Sequence, residues 1–155
     1  MRVYIGVGSN QGRRIENINR AFQLLEENGE EVRRISPLYE NAAVCLPGEE
    51  MPEFVNGVFE LETGRSPENL LNLLEDLERE LGREGKGDRR PRPIDLDILF
   101  YGDQVLESRR LKVPHPEIER RWFVLKPLAD LAPDLVHPIL GKPVKELLQS
   151  LNRSL

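Results

Sequence analysis

Two aspartates one residue apart, Asp95 and Asp97, follow an arginine-dense run within the stretch Arg89 to Gly102, RRPRPIDLDILFYG. The apolar residues that alternate with them, Ile94, Leu96 and Ile98, predict a β-strand with one buried face. In a strand, side chains two positions apart lie on one face about 6.6 Å from each other, so the two carboxylates point the same way. Carboxylate oxygens suit hard cations. Mg²⁺ accepts one or two of them and completes its shell with water and substrate phosphate oxygens. Just upstream, Arg83, Lys86, Arg89, Arg90 and Arg92 are five cations against two anions, and guanidinium forks bind phosphate in paired hydrogen bonds. The pattern predicts metal chemistry beside phosphate chemistry. The competing structural reading is a half-exposed strand with a polar outer face, fed by a solvated charged loop.

The elements that must carry these groups are legible in outline. Arg2 to Gly8 (RVYIGVG) is a β-rich run whose continuous apolar character fits a central strand, and Ile15, Ile18, Phe22 and Leu25 recur at helical spacing. Glu31 to Val44 and Phe54 to Thr63 read as two further strands. Their connection, Leu46 to Glu53, contains Pro and Gly and is long for a hairpin, which makes it a candidate lid. Ser66-Pro67-Glu68 combines a capping hydroxyl, proline at the first helical position and an early acid, and predicts a helix start. Leu70, Leu74, Leu77 and Leu81 form that helix's buried stripe, with Gly82 as its stop. After the aspartate strand come a Gly102-Asp103 turn, a short return at Val105-Leu106, and an irregular helical third punctuated by Pro127, Pro133, Pro138 and Pro143. The order βαββαβ matches an α+β, ferredoxin-like antiparallel sheet with both helices on one face. Gly6-Val7-Gly8 followed by Gly12 looks like a dinucleotide fingerprint, but the next two strands run consecutively with no intervening helix and no ribose-binding acid follows. The glycines are therefore assigned to a tight turn.

Composition narrows the class. The 155 residues predict one domain, 1–155, with 39% hydrophobic content and a net charge of -5. That charge argues against a broad nucleic-acid surface and leaves a pocket-sized basic patch fit for a small anion. No run approaches a membrane span of roughly 20 apolar residues, and the chain enters a strand at once without a signal-peptide pattern, so a cytoplasmic protein is expected. One cysteine, Cys45, excludes an internal disulfide, and two histidines without clustered thiols argue against structural zinc.

The run Arg92-Pro93-Ile94-Asp95-Leu96-Asp97-Ile98-Leu99 closely resembles the signature of 6-hydroxymethyl-7,8-dihydropterin pyrophosphokinases. The resemblance covers nearly the whole chain, from Gly8-Ser9-Asn10 through Phe54 and Asn56 to Val113-Pro114-His115, Arg121 and Phe123. It implies the same ferredoxin-like fold with C-terminal additions. It also implies a Mg²⁺-dependent passage of pyrophosphate from ATP to a reduced pterin in folate biosynthesis, by a monomer that needs neither nucleic acid nor membrane. Asp95 and Asp97 would hold two Mg²⁺ ions, and Arg83 and Arg92 would act on the phosphates. Ala43, Val44, Phe54, Asn56 and Phe123 fall on pterin positions; chemically, Asn56 offers an amide donor and acceptor to the ring edge and the phenylalanines could clamp its faces. Glu78, Arg83, Arg92, Ile98, Arg110, Leu111, Lys112, His115 and Arg121 fall on nucleotide positions.

The chain departs from that family pattern in places. Many relatives have Trp-Gly-Pro-Arg before the aspartates, where this chain has Arg89-Arg90-Pro91-Arg92. A second arginine beyond Arg83 is replaced by Gly85, a Thr-Pro-Pro-like segment by Asn41-Ala42-Ala43, and an aromatic Tyr by Phe54. Lys86 or Arg89 would then substitute for the missing arginine. From another functional class, the sequence leaves open a ferredoxin-like RNA binder or a nucleotide sensor. An RNA-binding sheet exposes interleaved aromatics on its central strands, where this chain has aspartates.

Overall fold

The computed structural model describes residues 1–41, 53–82 and 93–153. Four antiparallel strands form its frame in the order β2-β4-β1-β5: β1 (Arg2–Ser9), β2 (Glu31–Ile35), β4 (Phe54–Glu62) and β5 (Asp95–Tyr101). A short β3 (Tyr39–Asn41) pairs with the near end of β4 beside β2. The strand predicted over Glu31 to Val44 is thus broken at Ser36-Pro37-Leu38, where proline has no N–H to give a ladder. Ser36 bridges the break, its backbone N–H donating to the Val58 carbonyl (2.9 Å) and its Oγ accepting from the Val58 N–H (2.8 Å).

Helix α1 (Arg14–Glu27) and helix α2 (Pro67–Glu80) cover one face of the sheet. Their Ile18, Leu24, Leu25, Leu70, Leu74 and Leu77 pack on Val3, Ile5 and Val7 of β1, Phe59 and Leu61 of β4, and Leu96 and Ile98 of β5. Ile15 keeps the helical spacing but lies in the first turn of α1, where it is exposed. The start of α2 is as predicted: the Ser66 Oγ accepts from the Asn69 N–H (3.2 Å) and Pro67 fills the first position. Leu81 caps the helix and Gly82, at φ 98°, ends it in a conformation glycine adopts without strain.

The C-terminal additions cover half of the opposite face. Helix α3 (Trp122–Leu131) and helix α4 (Val144–Arg153) bring Leu125, Leu128, Leu131, Val144 and Leu147 against Tyr4, Val58, Leu99 and Phe100. Pro127, expected as a break, is buried inside α3. The chain reaches α3 through a two-stranded hairpin, β6 (Leu106–Glu107) and β7 (Lys112–Val113), and a 3-10 turn at Ile118–Arg120. Only the β6 arm of that hairpin was expected. Among the described residues no helix is long and apolar enough to cross a membrane.

Among the described residues, no helix or strand covers the other half of the second face. Side chains alternate along β1, so Tyr4, Gly6 and Gly8 share the α3 side, and Tyr4 alone of the three is packed under the helices. On β5 the alternation holds through Leu99 and then breaks. The register against β1 shifts between Tyr4 and Ile5, so that Leu99 and Phe100 both enter the second core. This is the behaviour of a β-bulge.

Candidate active site

The uncovered half-face is built from three neighbouring strands in register. Gly8 lies opposite Asn56 on β4 and opposite Asp95 on β5, while Gly6 lies opposite Val58 and Asp97. With two glycines on the middle strand, β1 places no side chain between the amide of Asn56 and the aspartates. The result is a small cavity of about 50 Å³, lined by Gly6, Gly8, Asn56, Asp95 and Asp97 together with Leu99, His115, Arg121 and Phe123. A Cβ placed on Gly8 would meet the Asn56 Oδ1 at 2.7 Å and Phe54 Cδ1 at 3.5 Å. Gly6 and Gly8 are therefore strand residues that floor a pocket, which corrects their assignment to a turn. The turn belongs to Gly12, at φ 69°. A G-x-G spacing inside a strand places both missing side chains on one face, and that signal was available in the sequence.

Each wall is held by identifiable contacts. Asp95 and Asp97 are half-buried, and the apolar residues between and beside them sit in the first core, as the alternation predicted. Asn56 and Phe54 are half-buried on β4. The edge beside them is tied to α1 by Arg14, which donates to the Glu53 carbonyl (2.8 Å) and pairs with Glu40. Phe123 stands in the first turn of α3, with the Arg121 guanidinium 5.9 Å from its ring centre. Arg121 in turn pairs with Glu117. The N-terminal end of α3 also packs on β3 through an edge-on contact of Trp122 with Tyr39, and the Tyr39 hydroxyl donates to Asp130.

His115 closes the pocket. Its N–H donates to the Leu99 carbonyl (3.0 Å), and its Nδ1 accepts from the Glu117 N–H (3.4 Å), which leaves the ring proton on Nε2. Burial pushes this imidazole below its ordinary value, with the negative charge of Asp97 opposing the shift. The ring also borders a second, larger cavity of about 280 Å³ on its far side, between the β6–β7 hairpin and the turn at His137 to Leu140.

A model of the family described as 7,8-dihydro-6-hydroxymethylpterin-pyrophosphokinase (HPPK) matches residues 4–133. The chain belongs to this family. A 2-amino-4-hydroxy-6-hydroxymethyldihydropteridine pyrophosphokinase of Aquifex aeolicus is 42% identical over 144 residues, covering 93% of this chain and 88% of that protein. One from Pseudomonas aeruginosa is 45% identical over 148 residues, covering 95% and 90%. The folic acid synthesis protein fol1 of Pneumocystis carinii is 45% identical over 139 residues, and there the chain spans only 18% of the relative's length. Among solved structures, an HPPK-DHPS in complex with substrates is similar with a TM-score of 0.75 at 13% identity, covering 99% of this chain and 43% of the other. Wild-type Plasmodium falciparum HPPK-DHPS gives 0.72 at 15%, covering 96% and 40%. These two likenesses speak for the fold.

The residues that resemble HPPK positions separate into groups. Asn56, Asp95, Asp97, His115, Arg121 and Phe123 line one cavity, and Phe54 lies beside its floor. Arg110 reaches instead to α2, donating to Asn72 (2.9 Å) and pairing with Glu75, and Lys112 is exposed beside Glu107. The Ile98 and Leu111 side chains belong to the core, so only their backbone could meet a nucleotide; both Leu111 backbone groups already bond Ser108. Glu78 is buried and accepts a hydrogen bond from the Leu96 N–H (2.8 Å). Ala43, Val44, Arg83, Arg92, Lys86, Arg89 and the candidate lid over 46–52 lie outside the described residues.

Proposed function

We propose that this chain transfers pyrophosphate from ATP to the hydroxymethyl group of 6-hydroxymethyl-7,8-dihydropterin, giving AMP and the pterin diphosphate. One observation carries the reading. A glycine-floored trough, with no β1 side chain between, joins an amide and aromatic rings suited to a flat heterocycle and a carboxylate pair suited to a metal-bound triphosphate.

Asn56 would bind the polar edge of the pterin, Phe54 and Phe123 would stack on its faces, and the Ala43 and Val44 backbone would complete that pocket. The donor set fits Mg²⁺. Asp95 and Asp97 offer hard oxygens from one face, and among the described residues no group of three His, Cys, Asp or Glu side chains could hold a metal ion. That is the sparse protein ligation Mg²⁺ takes when phosphates and water fill its shell. When bound there, two Mg²⁺ ions would draw charge from the triphosphate and acidify the attacking hydroxyl.

The pterin oxygen attacks the β-phosphorus in line, the bond to the α-phosphate oxygen breaks, and AMP leaves without a covalent enzyme intermediate. The neutral His115 ring presents Nε2–H, and Arg121 presents a guanidinium, to phosphate oxygens in the same cavity. Arg83 and Arg92 would neutralise the charge that develops on them, and Ile98, Arg110, Leu111 and Lys112 would surround the rest of the nucleotide. Catalysis is then positioning and electrostatics, as in phosphoryl transfer generally. The chain works as one domain, 1–155, a cytoplasmic monomer in folate biosynthesis without nucleic-acid or membrane partners.

Incubation with ATP, Mg²⁺ and the reduced pterin, followed by chromatography of the adenine nucleotides, tests the assignment. AMP should form only when pterin and Mg²⁺ are both present. A folded protein that binds both substrates and releases no AMP would overturn it.

A further inference from the structure

Glu78 occupies a position where a carboxylate is costly. It is 3% exposed and sits in the last turn of α2, where burial and the negative end of the helix dipole both oppose its charge. Its Oε2 accepts the Leu96 N–H at 2.8 Å. Leu96 is the residue between Asp95 and Asp97, and among the described residues β5 is the outermost strand of the sheet, paired with β1. The Leu96 N–H points away from β1, toward an edge where a further strand would otherwise supply an acceptor.

From the β1 side, the residues opposite Asp95 and Asp97 are Gly8 and Gly6. They offer backbone but no side chain to brace the aspartates. The bond to Glu78 fixes the Asp95–Leu96 peptide plane, and with it the torsions that aim both carboxylates. Charge-assisted hydrogen bonds are roughly twice as strong as neutral ones, which makes this contact a stiff brace on the β5 backbone.

We infer that Glu78 is a positioning residue: its carboxylate accepts the Leu96 N–H as a strand neighbour's carbonyl would, and holds the Asp95–Asp97 pair in the geometry that receives a metal-bound triphosphate. This rests on the proposed function, and it differs from the direct nucleotide contact that the family resemblance implies for Glu78.

The test compares the parent, Glu78→Gln and Glu78→Leu by two readouts: amide hydrogen exchange at Leu96, and calorimetric affinity for α,β-methylene ATP with Mg²⁺, an analogue that cannot release AMP. Gln keeps an acceptor oxygen, so it should hold both Leu96 protection and affinity within about threefold of the parent. Leu removes the acceptor, and should speed Leu96 exchange and weaken the analogue by at least about tenfold each. Unchanged protection or unchanged affinity in Glu78→Leu would overturn the role. So would a Gln variant that loses affinity while Leu96 stays protected, because the charge would then act on the nucleotide directly. If Glu78→Leu does not fold, the Leu96 amide proton in Glu78→Gln decides; it should move upfield as a neutral acceptor replaces a carboxylate, and an unmoved resonance would refute the bond. A parent that fails to bind the analogue at all would overturn the functional reading as well, whereas lost Leu96 protection with unaltered affinity would overturn this role alone.

Discussion

Replacing Gly8 with alanine is the sharpest perturbation of the trough. The backbone at Gly8 is ordinary strand, so alanine needs no unusual torsion, but its Cβ would stand 2.7 Å from the Asn56 Oδ1. A relaxed carbon–oxygen contact is about 3.3 Å or more, so the Asn56 amide must move by roughly 0.6 Å or turn. That shift takes Oδ1 or Nδ2 out of hydrogen-bonding geometry with a flat ring edge, and an unsatisfied buried partner costs about 1–3 kcal/mol. The expected result is a fall in kcat/KM for the pterin of about 5- to 150-fold at 1.4 kcal/mol per decade, with the affinity for ATP and Mg²⁺ unchanged. Glycine in a strand interior is itself unfavourable by about 0.5–1 kcal/mol, so the melting temperature should move by no more than a few degrees. Gly64→Ala is the control, since nothing lies within 4 Å of its Cβ position. Steady-state kinetics with the pterin varied at saturating ATP reads the effect. Gly8→Ala within twofold of the parent would show that the pterin does not rest against Asn56 over this floor.

Asp95→Asn and Asp97→Asn should each lower single-turnover AMP formation by about 10²–10³, the usual scale for one preorganised electrostatic group, while leaving the fold intact; near-parent rates in both would remove the metal assignment. Glu60 is 2% exposed, and its bonds from Arg34, foremost, and from Tyr4 and Arg2 hold its carboxyl at about 2 against the pull of burial. A depressed carboxyl stabilises the fold above its unfolded value of 4.5 and loses that contribution as pH falls toward 2. The unfolding free energy from urea titrations should therefore drop across that window by up to about 3 kcal/mol, and Glu60→Gln should flatten the dependence; an equal slope in that variant would refute the assignment. Ser66→Ala removes the cap on α2 and should cost about 1 kcal/mol, or about 2–4 °C in Tm, with catalysis unaffected; calorimetry checks it.

Much of the frame was legible because it is local. Ser66-Pro67 and Gly82 bound α2 in sequence and in space, and the period of two around Asp95 and Asp97 gave their shared face. What failed depended on partners distant in the chain. Pro37 marks a break, yet only the Ser36 bonds to Val58 show how the sheet continues past it. The shared face of Leu99 and Phe100 has no sequence signal, because the bulge is a property of the β1 pairing. Gly6 and Gly8 sit at the end of a β-run followed by a helix, which imitates a nucleotide fingerprint; the G-x-G spacing gives their shared face, but what that face floors emerges only when Asn56 and Asp95 are placed opposite Gly8. Coverage of half a face by α3 and α4, which leaves the other half as a site, was hidden by a proline-punctuated segment whose Pro127 lies within a helix.

The central claim is that this trough directs a pterin oxygen onto the β-phosphorus of ATP. Following β-labelled and γ-labelled ATP into the isolated pterin product tests it most directly. The account predicts that both labels arrive together on the pterin, in amounts equal to the AMP formed; a pterin carrying the γ-label alone, with ADP as coproduct, would contradict it.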